Sequence, residues 1–137
     1  MQARWLLYSK NFTESYFLDV LFKTKSGRYG MGKKEQNTDF VCVVCRQRVT
    51  ALRNGGYRNH CPFCLSSLHL DDRVPGDRKS HCHGIMKACK VQFSGNKGWQ
   101  IVHKCLTCGA ERVNKIAERD VQSDDWTMIV ILSREIV

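Results

Sequence analysis

Apolar positions fall into short runs bounded by turn residues, with no long helical period. Phe40-Val41 and Val49-Thr50-Ala51-Leu52 read as two short strands, and Asn54-Gly55-Gly56 as a turn. Lys90-Val91-Gln92-Phe93 and Trp99-Gln100-Ile101-Val102-His103-Lys104 read as the arms of a hairpin around Gly95-Asn96. Side chains alternate along a strand, so Trp99, Ile101, His103 and Cys105 share one face. The tail over 126–132, Trp-Thr-Met-Ile-Val-Ile-Leu, reads by composition as a buried strand. Residues 1–38 differ: they hold apolar runs at 6–8 and 16–22, a polar glycine-containing linker over 23–30, and neither cysteine nor histidine. Met31 reads as a second natural beginning. The segment before it is expected to be a weakly ordered extension outside the core fold.

Cysteines change this picture most. Cys42, Cys45, Cys61 and Cys64 form C-x₂-C-x₁₅-C-x₂-C, the spacing of a zinc site. Two residues between cysteines let one knuckle aim two thiolates at one ion, and two knuckles complete a tetrahedron. A second site is expected from Cys82, Cys105 and Cys108. Its fourth ligand is open among His103, Cys89, His69, His81 and His83. His103 points along the same strand face as Cys105. Cys89 offers a thiolate but lies too far from Cys82 to share a knuckle, and equally reads as a buried small apolar residue. Trp5-Leu6-Leu7-Tyr8 is too short for a signal-peptide core, so reduced thiols and a cytoplasmic setting are expected. The apolar content of 42% supports a modest core that a metal would staple.

Arg58-Asn59-His60-Cys61-Pro62 carries the five-letter signature of the RNHCP family, and the chain resembles that family over about 40–120. Phe63-Cys64-Leu65 with His69 and Asp71, Pro75-Gly76-Asp77-Arg78, Cys82-x-Gly84-x-Met86, His103-x-Cys105-x-x-Cys108-Gly109 and Asn114-x-Ile116-Ala117 extend the match. The resemblance implies a small zinc-ribbon-like domain and leaves its biochemical role open. It also implies an apolar residue or proline near position 89, which lowers Cys89 and leaves His103 as the choice.

The expected architecture is a small zinc-stabilised, mainly-β protein holding two zinc ions. An extension covers 1–38. The zinc-ribbon-like domain covers 39–137, with a first ribbon about 39–66, a second about 80–114 and a C-terminal strand about 126–132.

Formal charge is +9. Residues 1–38 hold seven Lys/Arg against three acids, and the rest fifteen against ten. One Cys₄ and one Cys₃His zinc site would add a net −3, lowering the cysteine-bearing part from +5 to about +2. Clustering therefore matters more than the total. Arg46, Arg48, Arg53 and Arg58 surround the first ribbon and are candidate phosphate contacts, and Tyr57 and Trp99 candidate stacking faces. No glutamate accompanies the knuckles as a deaminase requires, and no thioredoxin-like pattern surrounds a Cys-x-x-Cys pair. Asp71, Asp72 and Asp77 read as turn caps near His69 rather than acid/base groups. The expectation is a non-catalytic zinc-binding module contacting RNA, with ribosomal or other translation RNA first in view. The alternative is a structural zinc protein that binds another protein. Neither a membrane span nor a small-molecule substrate is expected.

Overall fold

The computed structural model of the chain describes residues 36–134 and builds two antiparallel sheets and one helix from them. The expected extension therefore lies, up to Glu35, outside the described residues. Strands β1 (Phe40–Val41) and β2 (Arg48–Val49) form a two-stranded ribbon, with Phe40 opposite Val49. The second sheet is four-stranded in the order β3 (Ser67–Leu68), β4 (Ile85–Ser94), β5 (Gly98–Cys105), β6 (Glu111–Lys115). Six residues past Cys61 the chain becomes β3, the edge strand of the second sheet, so the second knuckle of the first ribbon leads directly into that sheet.

The β4–β5 hairpin turns through Gly95-Asn96-Lys97. Lys97 N–H donates to the Ser94 carbonyl at 3.1 Å, and Gly98 takes the left-handed step at φ 74° that a side chain would resist. The pairing of β4 with β5 slips by one residue between Ala88 and Lys90, a bulge centred on Cys89. The bulge keeps Ala88 and Val91 on one face although they are three residues apart. These two pack with Leu65, Ile101, Ile116, Ile129 and Leu132 into the main core.

Trp126–Arg134 is an α-helix, α1, and not the strand that composition suggests. Asp125 caps it: its Oδ1 accepts the N–H groups of Thr127 at 2.8 Å and Met128 at 3.4 Å. Asp125 is itself fixed by donating its own N–H to the Pro62 carbonyl at 2.9 Å. Burial falls on Ile129 and Leu132, three apart, while Trp126, Val130 and Ile131 stay exposed. That period belongs to a helix lying on a sheet, and the cap and the sheet together override the β preference of Ile and Val.

A second, smaller cluster of Cys42, Val49 and Cys61, with Phe40, Val44, Cys45 and Cys64 against it, sits under the ribbon. Asn37 ties the ribbon's flank. Its side chain donates to the Leu52 carbonyl at 2.6 Å and accepts from the Leu52 N–H at 2.9 Å. Residues just before 39 therefore hold the fold, a little upstream of the expected boundary.

Candidate metal centres

Three knuckles are built on one plan. In the first, Arg46 N–H donates to the Cys42 carbonyl at 2.9 Å and Cys42 N–H to the Gln47 carbonyl at 2.9 Å. In the second, Leu65 and Cys61 repeat both bonds, with Ser66 as the outer acceptor. In the third, Gly109 and Cys105 do so with Ala110. Each needs a left-handed residue after the second cysteine: Arg46 at φ 63°, Leu65 at 57° and Gly109 at 75°. A non-glycine residue there costs about 1–2 kcal/mol, which the first two knuckles carry and the third avoids.

These turns deliver two donor groups. The thiolates of Cys42, Cys45, Cys61 and Cys64 converge, and so do His69, Cys82, Cys105 and Cys108; within each group all ligand atoms lie within 4.8 Å of one another. In the first group Cys42 Sγ is 3.6 Å from Cys64 Sγ, and Cys45 Sγ 3.5 Å from Cys61 Sγ. A tetrahedral zinc with Zn–S of about 2.3 Å sets its sulfurs about 3.8 Å apart. In the second group Cys82 Sγ lies 3.6 Å from Cys105 Sγ, and Cys108 Sγ 3.2 Å from His69 Nδ1. Donor types, number and spacing therefore fit two zinc ions, one Cys₄ and one Cys₃His. None of the eight cysteines forms a disulfide. Four thiols this close cannot all ionise without a cation between them. Accordingly, sulfur hydrogen bonding to Cys42 and Cys64, with burial, drives the Cys61 thiol upward. At Cys105 burial opposes ionisation, but the N–H groups of Cys108 and Thr107 outweigh it and hold the thiol down to about 6.

His69, not His103, joins Cys82, Cys105 and Cys108. His69 N–H donates to the Gly84 carbonyl at 2.9 Å, which places the residue beside the Cys82 half-knuckle. Ser67 is opposite Met86 and Met86 opposite Cys105, so the alternate residue, His69, looks toward the face that carries Cys105. The signal was the period-two step from Ser67 to His69. It becomes readable only once β3 is known to pair with β4. His103 has both ring nitrogens engaged elsewhere. Its Nε2 faces the Leu65 carbonyl at 2.7 Å, which can only accept, so Nε2 carries the proton. Nδ1 then accepts from Asn114 at 3.2 Å. Burial, reinforced by the charge of His60, pushes the His103 imidazolium down to about 4, so the ring is a neutral strut. Cys89 sits in the bulge and donates its S–H to the Val102 carbonyl at 3.2 Å. His81 and His83 lie outside both groups.

Gly84 is forced by space. A Cβ there would lie 2.5 Å from Thr107 Oγ1 and 2.8 Å from Cys105 Sγ. Asp77 accepts N–H groups from Asp72, Arg73, Val74 and Lys79, and Asp71 accepts from Gly76 and Arg78. The acidic cluster therefore holds the 71–79 loop, as turn caps do.

Arg58 is not a phosphate contact. It is 4% exposed. Its Nε donates to the Thr50 carbonyl at 3.0 Å and its Nη2 to the Gln122 carbonyl at 2.7 Å; Asp124 and Asp120 lie 3.6 and 3.9 Å away. Arg46, Arg48 and Arg53 are exposed. Tyr57 is half-buried, with the Arg78 guanidinium 5.9 Å over its ring. Trp99 is exposed and edge-on to exposed Phe93 at 5.2 Å.

The five residues from Arg58 to Pro62 thus each hold a different part. Arg58 grips the 120–124 loop. Asn59 takes Arg78 at 3.0 Å and reaches Asn114 at 3.4 Å. His60 Nε2 pairs with buried Asp124 at 2.8 Å. Cys61 enters the first donor group, and Pro62 accepts the amide that starts α1. No helix among the described residues is long and apolar enough to cross a membrane. No curated protein and no solved structure matches the chain. The model of the RNHCP domain matches residues 37–126. With the match covering well over half of the sequence and the signature at its structural centre, the chain belongs to the RNHCP family.

Proposed function

We propose that the protein is a non-catalytic zinc-binding module that binds RNA. The observation that carries the reading is the exposure of Arg46, Arg48 and Arg53 around a metal group closed by four protein donors. A catalytic zinc keeps a position open for water or substrate, and each group here already supplies four ligands. Arginine forks suit phosphate. The ion pair of Arg48 with Asp39, at 3.4 Å and well exposed, is too weak to hold Arg48 from a ligand. RNA of the translation apparatus is the first partner to test, in the reducing cytoplasm where the seven ligand thiols stay available to metal.

Crosslinking and sequencing from lysate identifies the RNA: ribosomal RNA, scattered messages or none give different outcomes. With a single-stranded probe, affinity should fall with salt at a log–log slope of about −0.7 per phosphate contact. Replacing Arg46, Arg48 and Arg53 by Ala should flatten that slope by about two units at unchanged zinc content. Absence of RNA affinity at low salt sinks the reading. It would leave protein binding, which the exposed apolar residues Trp126, Val130 and Ile131 of α1 favour.

A further inference from the structure

The sheet β4-β5-β6 has one face in the main core and an outer face on which Val102 and Gln100 are buried while a group of lysines around them stays exposed. Register defines this outer face. Lys87 lies opposite Lys104, and Lys104 opposite Glu111. On the next rung Lys90, Val102 and Val113 align, and on the next Gln92, Gln100 and Lys115. Without the Cys89 bulge, Lys87 and Lys90 would point to opposite faces, being three residues apart. The slip brings both to the outer face together with Lys104 and Lys115. All four lysines are exposed, and among the described residues none makes an ion pair. One acid, Glu111, accompanies them. Like charges directly opposite across an antiparallel pair destabilise a sheet, so the Lys87–Lys104 rung carries a cost that Glu111, opposite Lys104 on the other side, offsets only in part.

We propose that this lysine face holds the phosphate backbone of single-stranded RNA in addition to the ribbon arginines; the proposal rests on the RNA-binding reading above. The four lysines span three strands, about 10 Å, by four residues of β5, about 13 Å. An ammonium is a point charge that accepts phosphate without demanding one geometry. On the rung that ends in Lys115, half-buried Gln92 donates its amide to buried Gln100 at 3.3 Å, which fixes the Gln92 side chain beside that charge. Charge also argues against the chain's own upstream segment as the occupant. Residues 1–35 carry seven Lys/Arg against three acids and would be repelled.

The test uses the full chain loaded with zinc and a fluorescein-labelled oligouridine, read by anisotropy across a salt series. Replacing Lys87, Lys90, Lys104 and Lys115 by Gln should flatten the log–log salt slope by about 2.8 if all four make contact. The four Lys→Arg replacements should retain it. Loss of the like-charge rung should leave the denaturation midpoint of the Gln variant unchanged or higher. A wild-type measurement guards against misfolding of the variant: amine acetylation should label these four lysines in the free protein and spare them with RNA bound. Binding that persists undiminished in the Gln variant, with protection mapped elsewhere, overturns the lysine face alone. No wild-type affinity for RNA, or affinity for phosphatidylserine vesicles or an acidic peptide in its place, overturns both this inference and the RNA reading.

Discussion

Arg58 holds its guanidinium between two backbone carbonyls and two aspartates, closed from water. Removing one partner of such a buried set leaves charges uncompensated, at about 3–5 kcal/mol. Arg58→Met should lower stability by that amount in chemical denaturation. Arg58→Lys should not rescue it, because a single ammonium cannot reach the Thr50, Gln122 and Asp124 groups together. A second residue-scale expectation concerns two glycines with opposite reasons for being glycine. Gly84 has no room: its Ala variant pushes on Cys105 Sγ and Thr107, and should reduce bound zinc from two toward one per chain by elemental analysis. Gly109 has room on every side but a φ of 75°. Its Ala variant should keep both ions and lose only about 1–2 kcal/mol.

At the scale of elements, α1 separates two kinds of information. Ile129→Ala empties a core site and should cost about 2–5 kcal/mol. Val130→Ala, on the exposed side, should change stability by less than about 0.5 kcal/mol. A strand with alternating burial would bury Ile131 with Ile129 and expose Leu132; in the helix, Leu132→Ala should instead cost as Ile129→Ala does, and Ile131→Ala little. Local chemistry was readable: the first metal group, the hairpin at Gly95-Asn96 and the caps in the 71–79 loop all depend on residues close in sequence. What escaped depends on distant pairings. A seven-residue apolar run has no period to decide helix from strand, and the deciding cap, Asp125, is oriented by Pro62. The bulge at Cys89 is visible only against β5. His69 becomes a ligand through β3 meeting β4. Arg58 resembled its exposed neighbours until the 120–124 loop folded over it.

For the whole molecule, the two metal groups share one stretch of chain: Cys61 and Cys64 serve the first, and His69, five residues on, serves the second. Between them Leu65 is fully buried and its carbonyl takes His103. Structural zinc can supply roughly 10 kcal/mol or more of apparent binding free energy, against a net stability of about 5–15 kcal/mol for a domain. Cys61→Ser should therefore unfold the ribbon, and should also weaken the second ion, because the segment that presents His69 loses its anchor. Retention of both ions and of native strand signals in that variant would contradict this. A chain beginning at Met31 should keep both ions and a cooperative transition, since every ligand lies downstream and the Asn37 bonds are preserved.

The two groups also differ in shelter. Cys42 and Cys61 are buried, whereas Cys108 is exposed and Cys82 half-exposed. Thiolate oxidation follows access. Under dilute peroxide the protein should lose its ions in sequence, the Cys₃His ion first. Mass spectrometry after alkylation should find Cys108 modified while Cys42 and Cys61 stay protected. The fold would then carry one durable clasp and one that answers to the redox state around it.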